Sequence, residues 1–211
     1  MILQTFCFGP LGTNAILFGC QETKRCAVID PGVGSAKVLL GVLRDKELLL
    51  EKILLTHSHW DHIAGVAELK RETGAAVYLH PFDAQNLEYP GSDKIPLFVP
   101  VEGAHADELL QDGQILDVGH IKVHVIHTPG HSPGGVCFYL PEQKLLFSGD
   151  TLFRGTIGNL QLPTASEESM WPSLKKLAAL PPDTQVFPGH GKETTIGQES
   201  WLANAKKIFT E

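Results

Sequence analysis

The chain has 211 residues, 43% of them hydrophobic and 19% charged, which is an ordinary globular composition. Its 24 acidic residues outnumber 17 basic ones, for a net charge of −7, and no basic run or stripe occurs, which argues against a nucleic-acid partner. No apolar segment reaches the roughly 18 residues that span a bilayer, and Met1-Ile2-Leu3-Gln4 lacks the basic start of a secretory signal, so a cytoplasmic protein is expected.

In chain order, Ile2 to Phe8, Asn14 to Cys20 and Cys26 to Ile29 read as strands, separated by Gly9-Pro10-Leu11-Gly12 and by a polar turn. A helix with Ser35 as N-cap is expected over Ser35 to Glu47, with Val38, Leu39, Val42 and Leu43 on its inner face. Lys52 to Thr56 reads as a strand, residues 62–73 as a helix stopped by Gly74, and Ala76 to Leu79 as a strand. Residues 81–106 are rich in Pro and Gly and show little periodicity. They read as a long surface loop bordering the substrate, with a helical turn at Phe82 to Leu87.

The second half repeats this outline. Strands are expected at Gln114 to Val118, Lys122 to His127, Gly135 to Tyr139, Leu145 to Phe147 and Gln185 to Phe187, and helices at Glu167 to Leu180 and Gln198 to Phe209. The order predicts a single α/β domain over residues 1–211, with similar halves at about 1–105 and 106–211. These would form a four-layer αβ/βα sandwich, two mixed sheets with helices on the outer faces. Cys7, Cys20, Cys26 and Cys137 lie in apolar strands without a C-x-x-C pair and read as inert core thiols.

The chemistry concentrates at His57-Ser58-His59-Trp60-Asp61-His62, directly after an apolar strand. Packing does not call for three imidazoles and a carboxylate there, whereas a cation of borderline hardness does. His131 in Thr128-Pro129-Gly130-His131-Ser132-Pro133-Gly134, Asp150 in Ser148-Gly149-Asp150-Thr151 and His190 in Pro188-Gly189-His190-Gly191 likewise follow strands, where sites in α/β sheets are built. His80, His105, His120, His124 and His127 read as ordinary surface or core histidines. His124 and His127, at odd spacing on one strand, face opposite sides.

These motifs, with Asp30-Pro31-Gly32 ending an early strand, resemble the metallo-β-lactamase fold superfamily over nearly the whole chain. The resemblance implies that His57, His59 and His131 hold one metal, that Asp61, His62 and His190 hold a second, and that Asp150 bridges them. Asp30 would orient a ligand histidine from behind. Seven ligands exceed one tetrahedral zinc and suit two metals. The resemblance further implies two divalent ions, zinc first, with iron or manganese as alternatives, and hydrolysis by a metal-bridging hydroxide, with Asp61 and Asp150 orienting the water that forms it and accepting its proton.

An aspartate at the Asp150 position disfavours a β-lactam role, and Gly149-Asp150-Thr151-Leu152-Phe153 is similar to the glyoxalase II branch. The expected substrate is therefore a small-molecule thioester of the S-2-hydroxyacylglutathione type. With only 21 residues after His190, the chain resembles the compact subgroup without the C-terminal glutathione-binding helical domain, as a monomer or small homo-oligomer. Gly158-Asn159-Leu160-Gln161 departs from that subgroup's G-R-x-D, so neutral hydrogen bonds from Asn159 and Gln161 would replace an Arg–Asp pair. Arg154 and Trp60 are candidate substrate contacts. The alternatives are a mononuclear-iron persulfide dioxygenase using His57, His131 and Asp150, and a non-catalytic metal-binding module.

Overall fold

A computed structural model describes residues 1–210. Apolar alternation and turn residues produce a first sheet from β1 (Ile2–Phe8), β2 (Thr13–Gly19), β3 (Arg25–Ile29), β4 (Leu49–Leu54), β5 (Ala76–Leu79) and β6 (Glu108–Leu109), in that spatial order. The first two pairings are antiparallel and the remaining three are parallel. The helices that the parallel connections demand are α1 (Ser35–Asp45), the short α2 (Trp60–Ile63), α3 (Val66–Thr73) and α4 (Pro81–Glu88).

The second sheet comes from β7 (Ile115–Val118), β8 (Ile121–His127), β9 (Val136–Leu140), β10 (Leu145–Gly149), and later β13 (Gln185–Pro188) and β14 (Thr194–Thr195), in the order β14-β13-β10-β9-β8-β7. Between β10 and β13 lie a small hairpin, β11 (Leu152–Phe153) with β12 (Thr156–Ile157), and α5 (Glu167–Ala178). A 3-10 turn at Leu202–Asn204 leads into α6 (Ala205–Thr210).

Three apolar clusters fix the layers. Ile16, Phe18, Ile29 and Leu54 of the first sheet meet Val123, Phe138, Phe147 and Phe187 of the second. The other face of the first sheet packs Leu17, Val28 and Ile53 against Leu39, Val66 and Leu69 of its helices. The other face of the second sheet packs Cys137, Leu146 and Val186 against Met170, Leu174 and Leu177 of α5. The architecture is thus the four-layer sandwich of two mixed sheets with helices outside. No helix among the described residues is long and apolar enough to cross a membrane.

Several local expectations are corrected. Gly34, in the left-handed region at φ 76°, precedes α1, and the Ser35 hydroxyl donates to Gly32 O instead of capping. Val38 is exposed, because Ala36, Leu39 and Leu43 supply the buried stripe. The single helix over 62–73 is broken into α2 and α3, where Gly65 donates its N–H to Pro31 O and the backbones crowd together. Within 81–106, α4 extends over two turns from Pro81. The segment expected as a helix from Gln198 begins instead as turns, with α6 only at its end. All four cysteines are free. Cys20, Cys26 and Cys137 are buried, whereas Cys7 is exposed on β1. Burial pushes the Cys26 thiol up to about 12 and the Cys137 thiol up to about 11, as expected of inert thiols.

Candidate metal centre

The site lies where strands of both sheets end. β4 delivers Thr56 and then the turn bearing His57 and His59, and α2 presents Asp61 and His62. His131 sits in the turn between β8 and β9, Asp150 directly follows β10, and His190 follows β13. The two sheets are tied together here, because Asn14 N–H donates to Gly189 O at 2.7 Å and the Asn14 amide donates to Pro188 O at 2.9 Å. Gly189 must be glycine. A Cβ there would stand 2.2 Å from Asp150 Oδ1 and 2.8 Å from His62 Cε1.

All seven residues named from the sequence as metal ligands come together. His57, His59 and His131 bring ligand atoms within 4.8 Å of one another, and so do Asp61, His62 and His190. Asp150 reaches into both groups. Its Oδ2 lies 3.3 Å from His131 Nε2 and 3.5 Å from His190 Nε2, and its Oδ1 lies 3.5 Å from His62 Nε2. Asp61 Oδ2 is 3.4 Å from His62 Nε2 and 3.3 Å from His190 Nε2, and those two nitrogens are 3.2 Å apart.

The ring orientations follow from what the other nitrogen touches. His62 Nδ1 faces Asp30 Oδ2 at 3.0 Å, His131 Nδ1 faces Asn159 O at 3.0 Å and His190 Nδ1 faces Leu11 O at 3.1 Å. Each partner only accepts, so each Nδ1 carries a proton, and Nε2 is the ring atom left to face a metal. His57 Nδ1 lies 3.0 Å from Thr56 Oγ1, which donates to Asp30 Oδ2 at 2.6 Å. The Thr56 hydroxyl therefore accepts from His57. Asp30, 1% exposed, also accepts Thr56 N–H at 2.8 Å. Asp30, His57 and His62 also form a compact group with ligand-type atoms, but the Asp30 oxygens are committed to these hydrogen bonds.

The electrostatics divide the cluster. Burial first, then the neighbouring rings, push His57 well below the ordinary imidazole value, and burial with His131 pushes His59 down to about 3. Burial disfavours ionisation of Asp61 and Asp150. The His62 imidazole and a hydrogen bond from His190 outweigh it, holding Asp61 below the carboxylate range and Asp150 at about 2. The reciprocal effect, against burial, raises His62 to about 9 and His190 to about 11. His57 and His59 thus favour neutral rings, and the other group pairs carboxylates with imidazoles.

The donor set fits divalent metals. The Nε2 atoms of His57, His59 and His131 and Oδ1 of Asp150 are buried without a hydrogen-bond partner. Unpaired buried lone pairs are costly unless a Lewis acid takes them up. Mixed imidazole and carboxylate donors suit zinc, iron or manganese.

The substrate candidates fare differently. Arg154 is exposed and lines a cavity of about 350 Å³ with Asn14 and Lys192, while its neighbour Phe153 packs its ring 6.1 Å from that of His190. Trp60 is only 3% exposed, with the ring of Phe98 5.6 Å away, so the exposed Phe98 is the more available contact. Asn159 accepts the Gln161 backbone N–H through its side chain at 2.9 Å, a local turn contact that does not use the Gln161 side chain.

Sequence reasoning missed Thr13, whose hydroxyl donates to Asp61 Oδ2 at 2.6 Å, and Asp83, which touches two ligand-bearing turns. A lone threonine after a glycine carries no signal. Asp83 lies in the helical turn expected at Phe82 to Leu87, where no motif marks it. His127 stacks on His80, with ring centroids 4.0 Å apart, away from the seven residues.

Comparison with known proteins agrees with this geometry. The family model described as the metallo-beta-lactamase superfamily matches residues 8–190. The hydroxyacylglutathione hydrolase GloC of Haemophilus influenzae is 34% identical over 191 residues, covering 85% of this chain and 86% of that protein. The crystal structure of BLEG-1 B3 metallo-beta-lactamase superposes with a TM-score of 0.87 at 37% identity, covering 96% of this chain and 100% of that one. That of TTHA1623 in a di-iron-bound form superposes with a TM-score of 0.82 at 41% identity, covering 93% and 96%.

Proposed function

Because this chain belongs to the metallo-beta-lactamase superfamily, we propose that it is a hydrolase using two divalent ions to cleave thioesters of the S-2-hydroxyacylglutathione class. The observation that carries the two-ion reading is the reach of Asp150, whose carboxylate lies within 3.5 Å of nitrogens from both ligand groups. In this reading His57, His59 and His131 hold one ion, Asp61, His62 and His190 hold the other, and Asp150 is shared. Zinc is the first candidate, and the di-iron form of TTHA1623 makes iron the second.

Two ions bound there would supply Lewis acidity and bring the pKa of a shared water from about 15.7 to near 7. The protein's part is orientation and proton transfer. Asp61 and Asp150, both held as carboxylates, would align the attacking water and accept its proton. Thr13 fixes the Asp61 rotamer, and Asp30 and Thr56 fix two imidazoles. A thiolate is a good leaving group, so no strong general acid is needed. Arg154 would bind an anionic part of the substrate, and Phe98 rather than Trp60 would form an apolar wall.

The similarity to GloC supports the thioester class. The similarity to BLEG-1, named as a B3 metallo-beta-lactamase, supports β-lactam hydrolysis as a second reading, despite the aspartate at position 150. The deciding experiment offers zinc- or iron-loaded protein S-D-lactoylglutathione, a chromogenic cephalosporin and a phosphodiester. Thioester turnover well above the other two is expected. Turnover of the cephalosporin alone would install the second reading, and turnover of none would refute hydrolase function for this substrate range.

A further inference from the structure

α4 begins at Pro81, after His80 caps it, and its inward face is largely polar. Asp83 and Asn86 are buried beside Leu87, whereas Phe82 is 68% exposed. Such a face makes sense only if it meets other polar groups, and it meets the backbone of the ligand turns. Asp83 Oδ2 accepts Ser58 N–H at 3.0 Å, and Ser58 lies between His57 and His59. Asp83 Oδ1 accepts Gly134 N–H at 2.7 Å, three residues beyond His131. One turn further along, the Asn86 amide donates to Ser58 O at 2.7 Å and to Asp93 Oδ2 at 2.9 Å.

We propose that Asp83 is a positioning residue, a clasp that joins the His57–His59 turn of the first sheet to the His131 turn of the second and so assembles the three-histidine group. The inference rests on the two-ion reading above but concerns a residue outside both ligand sets. At their bases the turns are already linked by Val136 N–H donating to Thr56 O at 2.8 Å. Asp83 supplies the second fixed point, and two points define a spacing where one leaves a hinge. The fit is close on the far side too. A Cβ at Gly134 would stand 2.6 Å from Asp83 Oδ1, so glycine is required for the turn to approach the carboxylate. Asp83 is 3% exposed and makes no ion pair with lysine or arginine among the described residues. Its oxygens serve the two turns.

Asparagine at position 83 keeps the volume but sets an amide N–H₂ against one of the two N–H donors. The test compares the wild-type protein with Asp83→Asn and Gly134→Ala, the latter loosening the clasp from the other side with Asp83 intact. Zinc affinity is read by chelator competition, bound ions are counted by native mass spectrometry, and amide exchange at Ser58 and Gly134 is followed in the metal-free protein. Both variants should lose affinity at the three-histidine group by roughly 10- to 100-fold while the other ion is retained, as disturbed outer contacts do to metal sites. Exchange should accelerate at Gly134 and Ser58. Two ions bound with wild-type affinities, parallel loss of both ions, or unchanged exchange would each overturn the clasp. Should the wild type hold fewer than two ions, the two-ion reading fails separately, and the exchange result still decides on the clasp.

Discussion

Replacing Asp30 by asparagine isolates the support behind the second ligand group. The carboxylate accepts from Thr56 N–H at 2.8 Å, from the Thr56 hydroxyl at 2.6 Å and from His62 Nδ1 at 3.0 Å. An amide accepts through one oxygen only. If that oxygen keeps Thr56 N–H, the amide N–H₂ faces the hydroxyl and His62. The hydroxyl, already accepting from His57 Nδ1, then loses the acceptor for its own proton, and His62 has no second acceptor on that side. Either its Nδ1–H is left unpaired, or its proton moves to Nε2, into the lone pair directed at Asp61, Asp150 and His190. An unmet buried donor costs about 1–3 kcal/mol, so the metal-free variant should be destabilised by about that amount in urea. Its affinity for the ion on Asp61, His62 and His190 should fall roughly 10- to 100-fold, with the three-histidine group less affected. Unchanged stability together with unchanged metal affinity would refute the assignment of Asp30 as the group that sets the His62 tautomer.

Other consequences follow from the same geometry. Glu199, 4% exposed, accepts from Gly155 N–H at 2.9 Å and from the Trp201 indole at 2.6 Å, so Glu199→Ala should lower stability by about 2–4 kcal/mol in thermal unfolding. It should also raise KM more than it lowers kcat, because Gly155 follows Arg154. Arg154→Ala should raise KM for an acidic thioester and leave metal content intact, and an unchanged KM would remove Arg154 from the site. Burial first, and the stacked His127 second, depress His80 to about 4. The unfolded chain therefore binds the extra proton first. This contribution to stability is fully present above pH 6.5 and is lost as pH falls toward 4, by on the order of 2–3 kcal/mol. In His80→Asn that part of the pH slope should flatten, as urea midpoints across the range would show.

The candidate ligand set was legible because each motif puts a donor just beyond a strand, and strands such as β2, β8 and β10 announce themselves by apolar residues. The layers were legible for the same reason. What escaped was governed by polar burial and close approach. The inner face of α4 sets Asp83 and Asn86 beside Leu87, so a search for apolar periodicity finds a helical turn there but nothing that marks Asp83. The break between α2 and α3 depends on Gly65 meeting Pro31 O, a contact with no local sequence signal. The hairpin of β11 and β12, like β6 and β14, has strands of two residues, too short for any period. The apparent helix at Gln198 fails because Glu199 turns inward to bind Gly155 and Trp201.

The central claim is that Asp150 joins two ligand groups into one hydrolytic centre. It is tested most directly by titrating metal-free protein with zinc while following S-D-lactoylglutathione hydrolysis, in the wild type and in Asp150→Ala. The account predicts that wild-type activity climbs to a maximum at two ions per chain. It also predicts that Asp150→Ala stays inactive, with its ion count or affinity reduced. Full activity at one ion per chain, or an active Asp150→Ala, would contradict it.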